Sequence, residues 1–282
     1  MDLFDLVTQT YLELGQLTVA AATGGSTSTL VDGLLAGTAE DNAYKGSALL
    51  LIKDVAGLGG APEGEWSVCS AYTDSSGTFA TVWTVAPANT DTYGMALETF
   101  PLYTMIELVN QGLISIGDIA LIDTSITTSA EDRDYTLPIA CKRKRPIAIR
   151  IRTDTDSGDY SAEVINDWDI LPAAPGSAGT VHLHRYPDDG KTLEVWYQGI
   201  HPKVSTPTGY VAESIEPRLA VVASALAATK WYNRLTGGSE PFWMQTEDRL
   251  SQEFQNLMVT GKPQLPPNEP QLFIVNPSEE ED

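Results

Sequence analysis

The chain has 282 residues, of which 42% are apolar, so we expect one large or two modest domains with a true hydrophobic core rather than disorder. It carries 17 Lys and Arg residues against 38 Asp and Glu residues, and the resulting net charge of −21 disfavours sequence-specific nucleic-acid binding, although a carboxylate-lined wall could let DNA pass without adhering. The first residues lack the pattern of a signal peptide and no apolar run reaches the roughly 18 residues of a membrane span, so we expect a cytoplasmic setting and no membrane partner.

The first 98 residues predict one helix followed by antiparallel strands. Apolar residues recur at helical spacing between Leu3 and Leu17, and Gly24 and Gly25 then interrupt the pattern. Strand patterns follow, and two alternating runs at 66–72 and 79–85 flank D-S-S-G, a composition typical of a hairpin turn. We therefore predict an amino-terminal helix in residues 1–23 and a small β-barrel in residues 24–98.

A helical connector is predicted for residues 99–134. Its helix runs from Pro101 to Gln111, with proline in the first turn and Gly112 just after the end. The apolar residues 113–122 fit either a second short helix or a strand, and residues 124–133 have the polar composition of a loop.

Residues 135–212 predict a β-sandwich. Ile147, Ile149 and Ile151 alternate with polar neighbours, and residues 168–170 fit another short strand. The turn-forming residues 187–190 separate two alternating runs and therefore predict a hairpin. Cys69 and Cys141 lie in apolar, strand-like settings, which favours buried reduced thiols over a disulfide.

The chain ends in a predicted helical hairpin, residues 213–262, and an extended acidic arm, residues 263–282. Gly237 and Gly238 separate two apolar stripes that we expect to pack against each other. Prolines exclude a helix in the arm, which carries an apolar run in an otherwise polar, acidic segment. We predict that this run contacts a partner surface, such as the sheet edge of a neighbouring subunit. It consists of Leu272, Phe273, Ile274 and Val275.

The sequence contains few candidates for catalysis or metal binding. His182 and His184 would project from one face of a strand, where they fit either the start of a metal site or a solvated face, and no third ligand follows at a diagnostic spacing. Residues 154–159 match a calcium loop only in part, because the glycine is misplaced and the closing glutamate is missing. We predict no catalytic residue, no metal and no cofactor, and expect that the chain is not an enzyme.

One basic cluster stands out in this acidic molecule. It fits either charged residues that protect a strand edge from aggregation or a contact with an acidic patch on another subunit, with phosphate binding as a third interpretation. We predict an inter-subunit or portal contact, which between unlike patches would build a ring. The cluster comprises Lys142, Arg143, Lys144, Arg145, Arg150 and Arg152.

Four segments in a fixed order carry a resemblance to a known family. They are a helix that leads into S-T-S-T-L-V-D-G-L-L at 26–35; A-Y-K-G-S-A-L-L-L-I at 43–52 with D-T-Y-G-M-A-L at 91–97; W-D-I-L-P at 168–172 with D-G-K-T-L-E-V-W-Y at 189–197; and S-A-L-A-A-T-K-W-Y-N-R-L at 224–235. In this order they resemble the head-to-tail adaptor, or neck and connector, proteins of tailed bacteriophages.

The resemblance implies a structural virion protein, located in the neck between capsid and tail and assembled in the host cytoplasm. Its partners would be further copies in a ring, commonly twelvefold, the portal protein, tail or neck proteins, and DNA that passes through the channel. The carboxy-terminal segment would engage the portal. Because the second β region is large, the chain also resembles a tail-side component such as a tail terminator or baseplate subunit.

A third interpretation is a β-sandwich module that binds a carbohydrate or a receptor. In that case Trp66, Trp83, Trp168 and Trp196 would present aromatic platforms, whereas in a structural protein the same residues would pack in a core. The fold expected under all of these interpretations is α+β, mainly antiparallel β, with an amino-terminal helix, a carboxy-terminal helical hairpin and an extended arm.

Overall fold

The α+β fold with antiparallel sheets is confirmed. We analysed a computed structural model that describes residues 1–55, 63–139, 141, 146–152, 162–171 and 178–260. These residues form four α-helices and four antiparallel sheets. The chain divides into two compact units: unit 1 contains residues 1–117 and 200–262, and unit 2 contains residues 118–199. Contacts therefore place the amino-terminal helix, the first β region and the carboxy-terminal hairpin in one unit.

All four α-helices belong to unit 1, where they form a helical layer. They are α1 (Leu3–Glu13), α2 (Leu102–Ser115), α3 (Pro217–Thr236) and α4 (Pro241–Thr260). Asp2 caps α1 by accepting a hydrogen bond from the Asp5 amide. The predicted packing of α3 against α4 is confirmed, and α3 ends at Gly237, which has φ 65°. Helix α1 is shorter than predicted, because Gly15 turns the chain and Leu17 begins a strand.

Eight short strands in unit 1 form two four-stranded sheets that share one core. One sheet has the order β1 (Leu17–Ala21), β8 (Thr92–Ala96), β4 (Ala48–Lys53), β5 (Trp66–Val68), and the other has the order β2 (Gly24–Ser26), β3 (Thr29–Val31), β7 (Thr78–Ala80), β6 (Ala71–Thr73). Both sheets contribute to the core, which contains Leu30, Leu49, Tyr72, Phe79 and Tyr93. The strand orders are linear over the described residues, so closure into a small β-barrel stays a prediction.

The turn after β6 has the predicted geometry. β6 and β7 pair antiparallel across residues 74–77, and Gly77 has φ 59°. The run at 66–72 was wrongly predicted as one strand. The chain leaves the first sheet after Val68 and enters the second at Ala71, so one short segment contributes a strand to each of the two sheets that cover the core.

A buried hydrogen bond connects the two sheets of unit 1. The Tyr93 hydroxyl donates to Oδ2 of Asp32 over 2.8 Å, and the other carboxylate oxygen accepts from the Leu34 amide. Asp32 is 2% exposed. Burial, and then the bond to Asp32, raise the pKa of Tyr93, so its proton stays on the hydroxyl.

Tyr93→Phe is expected to lower the free energy of unfolding by about 1–3 kcal/mol, because it removes a donor from a buried carboxylate. Urea unfolding followed by tryptophan fluorescence measures the change. Tyr44→Phe is the control, since Tyr44 packs against the same core and the described residues supply its hydroxyl with no hydrogen bond. An equal loss in both variants would contradict the assigned role of the Asp32 bond.

The described residues of unit 2 form seven strands in two sheets around a second core. One sheet has the order β12 (Ala162–Ile165), β11 (Ala148–Arg152), β15 (Thr192–Gly199), β9 (Ile119–Thr127), and the other has the order β10 (Asp134–Thr136), β14 (Thr180–Leu183), β13 (Trp168–Leu171). Core residues come from both sheets, as in a sandwich, and include Ile149, Ile151, Val181, Leu183 and Val195.

Three predictions for the middle of the chain are wrong in detail. β14 and β15 do not form a hairpin, because β14 pairs with β10 and β13 whereas β15 pairs with β11 and β9. Gly112 lies inside α2, which continues to Ser115. The loop predicted at 124–133 begins later than expected, since β9 extends to Thr127. The ambiguous residues 113–122 divide between the end of α2 and the start of β9.

Ion pairs hold the helical layer together at one position. Arg218 of α3 contacts Glu13 of α1 at 2.6 Å and Glu253 of α4 at 2.6 Å, and Arg249 contacts Glu13 at 2.9 Å. Burial by itself raises the pKa of Glu13, but hydrogen bonds and charge from both arginines outweigh burial and hold that pKa below its ordinary value. The network therefore favours the ionised carboxylate at neutral pH.

Candidate interaction surfaces

The predicted basic cluster is only partly visible. Residues 142–145 lie outside the described residues, whereas Arg150 and Arg152 lie on β11, in the central part of a sheet. Nε and Nη2 of Arg152 donate to Oε1 of Glu194 over 3.1 and 2.9 Å. The Glu194 side chain is 1% exposed, against 37% for Arg152. Arg152 therefore neutralises a buried carboxylate of its own unit.

Arg150 also has a partner within unit 2. Its guanidinium carbon lies 4.7 Å from the centre of the Trp196 ring, a cation–π geometry. Ile149 and Ile151 face the core, so Arg150 and Arg152 lie on the opposite face of the sheet. A contact of these two arginines with another subunit stays a prediction, and such a contact would have to form around these internal pairs.

His182 of β14 and His184, one residue beyond the end of that strand, lie beside aspartates. In register, His182 lies between Asp134 of β10 and Asp169 of β13. Nδ1 of His182 is 2.6 Å from Asp134, and Nε2 of His184 is 3.0 Å from Asp169. The described residues contain no group of three or more side chains able to hold a metal. The carboxylates thus act as hydrogen-bond partners of the imidazoles.

Other reactive side chains have structural partners. Cys69 and Cys141 are buried free thiols, as predicted, and burial raises the pKa of each to about 11. His201 is 2% exposed and accepts a hydrogen bond from the Ala212 amide at Nε2. Burial lowers the pKa of His201, which favours the neutral ring that this contact requires.

The four tryptophans proposed as binding platforms pack against the protein. Trp83 is 4% exposed and belongs to the core of unit 1. Trp66 stacks on Phe4 with 6.3 Å between ring centres. Trp168 packs against the core of unit 2, and Trp196 lies under Arg150.

An aromatic cluster joins three helices at one end of the helical layer, and sequence reasoning missed it. Phe100, just before α2, is fully buried and lies 5.4 Å from both Tyr232 and Trp243 and 6.0 Å from Trp231. Phe242 packs edge-on against Trp243 at 5.1 Å. The pairs W-Y at 231–232 and F-W at 242–243 were the available signal, but their common partner lies more than a hundred residues earlier.

Large apolar side chains around this cluster are exposed. Leu235 lies one helical turn beyond Tyr232, Tyr103 follows Phe100 in the first turn of α2, and Met244 follows Trp243. We call these residues, with Phe242, the hairpin-end patch. The exposed fractions are 73% for Tyr103, 67% for Leu235, 62% for Phe242 and 49% for Met244.

A groove of ≈ 260 Å³ runs along α3, between α2 and α4. Its apolar floor includes Ala223, Leu226 and Phe254, and Lys230 and Arg234 border it at the end nearer the aromatic cluster. Both cations are exposed, and the groove lining contains no carboxylate among the described residues. In a chain with net charge −21, this places local positive charge beside an apolar surface.

Comparison of the chain with protein-family models, with curated proteins and with solved structures finds no match. Among the described helices, none is both long enough and apolar enough to cross a membrane. The predicted contact residues 272–275 lie outside the described residues.

Proposed function

We propose that the chain is a structural subunit of a tailed bacteriophage, a head-to-tail adaptor. Copies of it form a ring on the portal, enclose part of the DNA channel and provide the platform to which the tail attaches. The hairpin-end patch is the observation that carries this proposal, because it offers an apolar surface for a neighbouring subunit or the portal.

The chemistry of the patch favours protein association. Aromatic residues and Met are enriched in the cores of protein interfaces, and three of the four patch residues are of these types. Trp243 is 5% exposed and anchors the patch from below, so Phe242 is presented by a packed cluster. A rigid aromatic group of this kind loses little conformational entropy on association.

Charge and sequence supply the rest of the argument. A surface with net charge −21 repels the phosphates of DNA, which suits a channel wall that must not retain DNA. Two of the segments that resemble adaptor proteins coincide with helices or strands: residues 26–35 begin at the last residue of β2 and include β3, and residues 224–235 lie in α3. Residues 224–235 also supply the α3 residue of the patch and every α3 residue of the groove except Ala223.

The direct test is the mass of the native oligomer followed by class averages from electron microscopy. Twelvefold rings, in solution or on intact particles, support the adaptor. Sixfold or threefold rings would instead identify the tail-side alternative, a terminator or baseplate subunit. A monomer that is absent from any particle contradicts both.

The variant Leu235→Ser with Phe242→Ser is expected to weaken ring formation about tenfold or more, because it removes two large side chains from the patch. Sedimentation velocity over a concentration series measures the change. Val259→Ser is the matched control: Val259 is 87% exposed but lies at the other end of α4. Unchanged assembly in the double variant would rule out the patch as the interface.

A further inference from the structure

The groove along α3 has two chemically different ends. Ala227 and Phe254 offer a partly exposed apolar surface above the buried Ala223 and Leu226, and beyond them Lys230 and Arg234 offer two exposed positive charges. Arg234 lies seven residues beyond Ala227, or about 10 Å along the helix axis. A ligand complementary to this groove would be apolar over its first part and acidic at its far end.

The carboxy-terminal arm has that composition in that order. Leu272–Val275 is apolar, and Glu279–Asp282 begins four residues after Val275. In an extended chain four residues span about 13 Å, which matches the distance from the groove floor to Arg234 once the reach of its side chain is included. Pro277 between the two parts keeps that stretch from forming a helix.

We propose that Leu272–Asp282 of a second copy of the chain occupies the groove. Its apolar run covers Ala227 and Phe254, and its carboxylates at 279–282 pair with Lys230 and Arg234. This inference rests on the proposed ring and names the surface that the arm uses within it.

A second copy fits better than the same chain because of what the contact then builds. An arm on one subunit and a groove on the next are unlike surfaces, so the contact is heterologous and closes into a ring at a suitable rotation. Gly261–Gln271 can extend to about 35–40 Å, enough to cross to a neighbour. Most of the surface of this acidic molecule repels an acidic arm. The two exposed cations therefore favour docking of the arm at the groove.

The test is zero-length cross-linking with a carbodiimide, applied to rings assembled from equal amounts of light and heavy full-length chains, where the heavy chains carry ¹⁵N. The reagent joins an amine to a carboxylate that touches it, so it reports contact between Lys230 and residues 279–282. If the links join different copies, random mixing of the two kinds of chain predicts that about half of the linked peptide pairs combine one light and one heavy peptide.

Arg234→Glu keeps the reporting amine of Lys230 and reverses the neighbouring charge. We expect it to lower the cross-link yield roughly fivefold to tenfold, and Glu280→Arg with Glu281→Arg in the same chain to restore the yield. Lys53→Glu is the control of equal charge change, at an exposed position on β4.

The outcomes separate this inference from the proposed function. Rings that yield only same-isotope links, or no link, or the same yield in Arg234→Glu, overturn the docking of the arm and leave the adaptor intact. If no ring forms in solution or on particles, both the docking and the adaptor fail.

Discussion

Gly112→Ala is expected to lower the free energy of unfolding by about 3 kcal/mol, although alanine is intrinsically the better helix residue by about 1 kcal/mol. An added Cβ at this position would lie 2.6 Å from both Cα and N of Ser224 and 2.7 Å from the carbonyl carbon of Ala223. These are backbone atoms of α3, so no side-chain rotation relieves the contact and the two helices must separate. Because α2 packs against α3 along this approach, the strain spreads over neighbouring contacts.

Urea unfolding monitored by far-UV circular dichroism measures this loss, because all four helices lie in the unit that contains Gly112. Gln111→Ala is the matched control, since Gln111 is exposed and precedes Gly112 on the same helix. We expect it to change the free energy of unfolding by less than about 0.5 kcal/mol. A stabilised Gly112→Ala variant would show that α2 and α3 are less closely packed than described.

The same glycine shows where sequence reasoning reaches its limit. A glycine near the end of an apolar helical pattern is typical of a helix terminus, and by that rule α2 would end before Gly112. The reason for glycine at this position is the close approach of the backbone at Ser224, more than a hundred residues later. Gly117, with φ 87°, takes the terminal role instead. Local composition identifies a need for glycine but not which of its two uses applies.

The turn predicted at residues 187–190 is present, but the predicted pairing of the two strands that flank it is wrong. Gly190 does turn the chain, with φ 69°, but β14 and β15 then enter different sheets over the same core. Alternation predicts which side chains face inward and holds for both strands, because either sheet of a sandwich presents the same period. The identity of the neighbouring strand depends on distant residues that periodicity does not encode.

The candidate surfaces also differ in whether their residues are close in sequence or are brought together only by the fold. The residues of the basic cluster lie within eleven positions of one another and those of the arm's apolar run are consecutive, so both features can be recognised in the sequence. The aromatic cluster and the groove are assembled from residues near 100, 231 and 243 and from three helices, so that only the fold brings them together. Arg152, in turn, was visible as a charge, but its buried partner on β15 was not.

Arg152→Ala is expected to lower the free energy of unfolding of unit 2 by about 3 kcal/mol, because it takes a guanidinium away from a carboxylate that is 1% exposed. Hydrogen exchange at the amides of β11 and β15 localises the effect to this sheet. Arg185→Ala removes an equal charge from an exposed position and should change exchange little.

A second substitution distinguishes loss of the pair from loss of packing. Glu194→Leu added to Arg152→Ala replaces the carboxylate that has lost its arginine by an apolar group of similar volume and is expected to recover part of the stability. If Arg152 served only a contact between subunits, the single variant would assemble poorly while its hydrogen exchange stayed at the level of the unmodified chain. If exchange at β11 and β15 stays slow in Arg152→Ala, Arg152 serves a contact between subunits. In that case other neighbours of Glu194 neutralise its carboxylate.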